Sequence, residues 1–177
     1  FASGATEVQQ EGLRIPPTHV VRGDVYDQEI VDLIMANCRV PLERLGDFRS
    51  QVGALRVGEK RLTALLDRYG KDTVDAAITE LKARSERQMR AHIENIPDGS
   101  YDFQCFMDSD GVVNEPLSVD LTVRVDGSDL YFDLSRSSPP CKGPMNTPWA
   151  ATMTAIYIAV MHMFPDVPIN AGCFVPL

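Results

Sequence analysis

Four polar side chains sit in irregular, largely apolar stretches where a charge or an amide needs a reason. They are Glu11 and Arg14 in QQEGLRIPP, Asn146 in KGPMNTP, and Asn170 in INAGCF. Glu11 and Arg14 flank a Gly–Leu pair, and Ile15, Pro16 and Pro17 then stiffen the chain against both helix and strand. Opposite charges placed there either pair with each other to hold a loop or face a ligand. An Asn amide offers two donors and an acceptor, so it either ties backbone together or binds a substrate carbonyl or amide. The residues alone leave both roles open, and the four stand as candidate substrate-binding positions. No catalytic residue is assigned.

Other chemistries find less support. His19, His92 and His162 are isolated, without H-x-H, H-E-x-x-H or a Cys/His cluster, so no metal ligand is expected from this chain. His92 is expected on the exposed side of a helix and His162 on a buried one. DSDG at 108–111 lacks the third oxygen ligand and the glutamate of a calcium loop and reads as a turn. Ser135, Ser137 and Ser138 lie near Cys141 but without a G-x-S-x-G elbow. Cys173 reads as a small buried apolar group. Neither a P-loop nor G-x-G-x-x-G is present, so the chain offers no nucleotide site of its own.

The bulk properties narrow the class. The 177 residues suit one ordinary domain or two small ones, and the formal charge of −8 argues against a nucleic-acid face. No apolar run reaches the roughly 20 residues that span a bilayer. The four cysteines, Cys38, Cys105, Cys141 and Cys173, form no C-x-x-C pair, and the expectation is reduced thiols in a cytoplasmic protein, with two disulfides as the alternative that the spacing leaves open.

These side chains have to be positioned by elements that the hydrophobic period reveals. Residues 1–25 read as coil, and GDVYD at 23–27 leads into a helix over DQEIVDLIMANC. Pro41 opens a second, long helix carrying Leu42, Leu45, Phe48, Val52, Leu55, Leu62, Leu65 and Tyr69, which Gly70 ends. A third helix runs to IPDG at 96–99, with Asp72 as its expected N-cap. Helices two and three are expected to form an antiparallel hairpin. The period then switches to two in SYDFQCFMD, LSVDLTVRV and LYFDLS, three strands of an antiparallel meander joined by Asp/Gly turns. SRSSPPCKGPMNTP, with four prolines, is a long loop of the kind that is usually functional. An apolar helix over about 149–163 follows and is expected to be buried. The fold class is α+β, in three stretches: an extended segment at 1–26, a helical hairpin region at 27–96, and the sheet, loop and buried helix at 97–177.

Several phrases along this chain resemble one family: TEVQQEGLRIPP, LIMANCRVPLERLGDFRSQVGAL, GEKRL, LDRYG, SERQMRA, IPDGSY, DGSDLYFDLSRSSPP with KGPMNTP, and INAGCF. In order and spacing they are similar to the hydantoinase B/oxoprolinase family, whose members include the B subunit of ATP-dependent N-methylhydantoinase, the matching half of 5-oxoprolinase, and a subunit of acetone and acetophenone carboxylases. The resemblance implies a large cytoplasmic hetero-oligomer in which a partner A-type subunit, or a fused A-type half, binds ATP and Mg. The B-type part would help open a cyclic amide or imide such as a hydantoin or 5-oxoproline. The alternatives are part of a ketone carboxylase, or a non-catalytic assembly module. The resemblance further implies that a divalent metal is held by His- and Asp-rich phrases upstream of EGLRIPP. On that reading the 177 residues are an inactive fragment of a larger subunit, and Glu11 and Arg14 follow closely on the metal-bearing segment.

Overall fold

The computed structural model describes residues 4–10 and 12–177 and is α+β. The chain folds as two compact units, Phe1–Val74 and Asp75–Leu177, each described in turn. No helix among the described residues is long and apolar enough to cross a membrane.

The first unit contains more order than the coil expected before residue 26. A single 3₁₀ turn spans Val8–Gln10, and a hairpin pairs β1 (Val21–Arg22) with β2 (Val25–Tyr26). Its two-residue turn, Gly23–Asp24, has φ of +53° and +64°. Positive φ at both central positions matches the twist of the flanking strands, and Gly followed by Asp is a pair that tolerates it. The sequence hides this hairpin because each strand is two residues long and shows no period. Asp27 then caps α1 (Gln28–Ala36), its carboxylate accepting from the Ile30 N–H at 3.4 Å. Pro41 is the first residue of α2 (Pro41–Tyr69), where a missing N–H costs nothing. Gly70, with φ of +78°, ends α2 by donating to the Leu66 carbonyl at 2.8 Å.

The second unit begins within α3 (Lys71–Ile93). The expected cap Asp72 lies inside the first turn instead; the Gly70 carbonyl accepts from Val74 at 3.2 Å and starts the helix two residues earlier. The meander is β3 (Gly99–Met107), β4 (Leu117–Asp126) and β5 (Asp129–Asp133), antiparallel in the order β3-β4-β5. Its register puts Tyr101 opposite Val123 and Val125 opposite Leu130, so the apolar period-two positions share a face. On β4 and β5 that face, at Val125 and Leu130, meets Met89 and Ile93 of α3 and Val160 of α4 (Trp149–Met163), and with Val167 and Cys173 these residues make the core.

The expectation of a buried last helix holds along one stripe only. Ile156, Val160 and Phe164, four residues apart, pack on the core, whereas Trp149 is 76% exposed and Met163 60% exposed. An all-apolar helix is buried only where neighbours surround it, and here the core lies on one side. The two helical histidines also change places. His92 is half-buried and stacked on Phe164 with centroids 5.1 Å apart, while His162 is exposed with Nδ1 2.7 Å from the Ile158 carbonyl.

Candidate functional site

Two polar constructions in the second unit carry Asn146 and Asn170, and each is built around close backbone approach. The first is the long connection between β5 and α4. Where β5 stops pairing, serines continue along the edge of β4. Ser138 N–H donates to the Ser118 carbonyl at 3.0 Å, and Ser138 Oγ accepts from Ser118 N–H at 2.9 Å. Ser137 Oγ accepts from the Asp120 N–H at 3.0 Å. Hydroxyls thus replace the backbone partners that a proline-rich strand cannot supply.

The rest of that loop is anchored by Asp110, a residue that the sequence suggests only as part of a turn. The residue is 2% exposed. Oδ1 accepts from Val112 N–H at 2.8 Å and Val113 N–H at 2.5 Å, and Oδ2 accepts from Gly143 N–H at 2.9 Å. Backbone donors from Val113, Gly143 and Val112 pull its pKa from the ordinary 3.8 down to about 2, against the opposing effect of burial. Gly143 has to be glycine for space: a Cβ there would lie 1.9 Å from the Asp110 carbonyl oxygen. The available sequence signal was the Ser-Asp-Gly turn chemistry itself, since an Asp in such a turn commonly accepts from N–H groups two or three residues on.

Asn146 closes the same loop. Its Oδ1 accepts from Cys141 N–H at 2.9 Å, and its Nδ2 donates to the carbonyls of Cys141 at 2.8 Å and Gly143 at 3.1 Å. Both amide protons and the oxygen are therefore engaged with the backbone. Exposed carboxylates around the sheet are held ionised as well. Asp102 is shifted down by Thr122 and then by Arg136, which bonds it directly, and Asp133 is shifted down by the Ser135 hydroxyl and N–H.

Asn170 organises the second construction. It caps the 3₁₀ turn Ala171–Phe174, with Oδ1 accepting from Gly172 N–H at 2.8 Å, and its Nδ2 donates to Ser85 Oγ on α3 at 2.7 Å. Ser85 is fully buried, a position its sequence neighbours Arg84 and Glu86 do not suggest. Gly172 packs so tightly that a Cβ would lie 1.9 Å from the Lys82 carbonyl oxygen. Cys173 is buried, with Sγ 3.0 Å from the Asn170 carbonyl, as its reading as a small apolar group expects. Beside this contact lies an open groove of about 380 Å³ bordered by Thr79, Lys82, Glu86, Ala171, Gly172 and Val175. It is at the lower end of volumes that hold small molecules, roughly 300–1,000 Å³.

Arg14 belongs to the first unit and is exposed in a stretch without regular secondary structure; Glu11 lies outside the described residues. Among the described residues no three His, Cys, Asp or Glu side chains converge as a metal site would require. Asp110 is turned toward N–H donors rather than other oxygens, so its own carboxylate is not placed as a cation ligand. All four cysteines are free thiols.

Comparison with known proteins places this geometry in context. The family model described as Hydantoinase B/oxoprolinase matches residues 1–177. The chain is 35% identical to caprolactamase subunit beta of Pseudomonas jessenii over 93% of its own length and 28% of that protein's. It is 26% identical to the acetophenone carboxylase delta subunit of Aromatoleum aromaticum, covering 96% of this chain and 25% of that one. The crystal structure of ATP-dependent caprolactamase from Pseudomonas jessenii matches with a TM-score of 0.85 at 35% identity, over 98% of this chain and 30% of that one. The chain thus spans about 30% of the length of such relatives.

Proposed function

The chain belongs to the hydantoinase B/oxoprolinase family, and from that premise we propose that it serves in the B-type subunit of an ATP-dependent amidohydrolase that opens a cyclic amide or imide. The observation that carries this reading is the agreement in fold and sequence with an ATP-dependent caprolactamase. A lactam is a poor electrophile, because its nitrogen lone pair is delocalised into the carbonyl. Transfer of the terminal phosphoryl group of ATP to the carbonyl oxygen, with ADP leaving, fixes that lone pair in a C=N bond and makes the carbon electrophilic. Water adds there, the ring C–N bond breaks as the nitrogen takes a proton, and a second water releases phosphate from the acyl phosphate that remains. In this reading the A-type partner handles ATP and Mg, and this chain supplies surfaces to the organic substrate.

Glu11 and Arg14 are the residues we assign to the substrate side. Arg14 is exposed, in a stretch without regular secondary structure that runs into Pro16 and Pro17. Asn146 and Asn170 enter the proposal as positioning residues, because their amides already hold the loops on which they sit. The carboxylase relative supports a second reading, ATP-dependent carboxylation of a ketone, at lower identity.

The test is co-expression of the complete B-type subunit with its A-type partner. ATP cleavage is then followed with caprolactam, 5-oxoproline and hydantoin, and separately with acetophenone plus bicarbonate. Ring opening coupled to ATP cleavage is the expected result. ATP cleavage that responds only to ketone and bicarbonate would sink the amidohydrolase reading in favour of the second. Within the active complex, Glu11→Gln and Arg14→Ala are expected to lower kcat/KM; wild-type turnover in both would remove them from the site.

A further inference from the structure

Helix α2 is 29 residues long, about 43 Å, and none of its residues is buried. Its sequence nevertheless keeps a seven-residue repeat that is apolar at every position but one. Leu45, Val52, Glu59 and Leu66 are seven apart, and so are Phe48, Leu55, Leu62 and Tyr69, offset by three. These are the a and d positions of four heptads, the pattern with which one helix packs knobs into the holes of another. Near its start the seam has company: the Tyr26 ring lies 6.3 Å from that of Phe48, and Arg56 bonds Asp24 at 3.2 Å. From there its d positions are open, with Leu55 74% exposed, Leu62 49% and Tyr69 48%, while Val52 and Leu66 are half-buried.

The charges around the seam say what fits it. In this frame the flanking e and g positions carry Arg44, Arg49 and Arg56 and no acid. The helix as a whole is net positive, six basic against four acidic residues, on a chain of charge −8. The one charge inside the seam is Glu59, at an a position. A second copy of α2 is a poor partner. Paired in parallel, Glu59 would face its own counterpart and Arg44 would face Arg49 of the other copy. Paired antiparallel, e positions meet e positions, where the charged residues are Arg49 and Arg56. Like charges across a seam oppose pairing and select for a complementary partner.

We propose that α2 docks a helix of a partner subunit that carries an apolar heptad seam, acidic flanks and a basic residue facing Glu59. The identification of the source as a partner subunit rests on the B-type subunit reading; the chemistry of the helix rests on α2 itself.

Site-specific photocrosslinking tests it without reading turnover. A benzophenone amino acid replaces Leu62, at a d position, or Ala64, on the opposite f position, in the B-type subunit co-expressed with its A-type partner. The expected product joins position 62, and not 64, to an acidic-flanked helix of the partner. Glu59→Lys should lower its yield about tenfold or more, as losing a desolvated charge pair does. Reversing the facing basic residue of the partner should restore it. A crosslink to another copy, or to the same polypeptide, overturns the proposal. So does a complex that forms with no crosslink at position 62, while leaving the subunit reading intact. If no complex forms, both fail.

Discussion

Single residues hold this chain together where its secondary structure gives out. Asp110 is the clearest case, a nearly buried carboxylate satisfied by backbone donors from two separate loops. Its folded pKa of about 2 lies below the ordinary 3.8. The unfolded chain therefore binds the proton more readily. The stabilisation is complete above the ordinary value and is lost as pH falls through about 2. Denaturant titrations across that range should show stability declining toward low pH. In Asp110→Asn the decline should be shallower, from a lower starting Tm at neutral pH. An unchanged pH slope in the variant would show that other carboxylates govern acid unfolding. Asp102 and Asp133, also shifted down, contribute with the same sign. Gly143 and Gly172 make a second residue-scale case. Each faces a carbonyl oxygen that an added Cβ would approach to 1.9 Å. Because backbone rather than a flexible side chain must give way, Gly143→Ala or Gly172→Ala should each destabilise by roughly 1–3 kcal/mol in thermal unfolding.

At the scale of elements the helices divide by what they touch. α3 presents Met89 and Ile93 to the sheet, both fully buried. Met89→Ala should therefore cost about 2–5 kcal/mol, as truncations in a packed core do. α2 presents leucines to solvent, so Leu55→Ala should change the stability of the 177-residue chain by less than about 0.5 kcal/mol. Equilibrium denaturation of the two variants measures the contrast directly. Equal losses would mean that α2 is covered in solution. Exposure also divides the strands: β3 is exposed along its whole length and pairs on one side only, with β4.

At the scale of the molecule, the chain spans about 30% of the caprolactamase relatives it matches, and the boundary between its two compact units falls inside α3, between residues 74 and 75. No shift in composition marks that point. The four free thiols give a global readout of the fold. Cys105 is exposed and Cys173 is buried, so a thiol reagent should modify Cys105 in the native chain and Cys173 only after unfolding. Mass spectrometry of the labelled peptides decides this; early labelling of Cys173 would contradict the packing around Asn170.

The sequence by itself determined the helices α1 to α4 and the three strands of the meander, because hydrophobic period, Pro41, Gly70 and the DGSD turn are local signals. It also determined the family, because many short phrases match in order along the whole length. The β1–β2 hairpin left no such signal, because two-residue strands have no period. Only the tertiary structure decided that Asp110 clamps the long loop, that Ser85 is buried against Asn170, and that His92 rather than His162 is stacked and half-buried. It alone showed that the apolar faces of α2 and α4 stay largely open. The reason is common to all of these. A residue's type fixes which bonds it can make, but burial and partnership depend on neighbours distant in sequence, which no local pattern encodes.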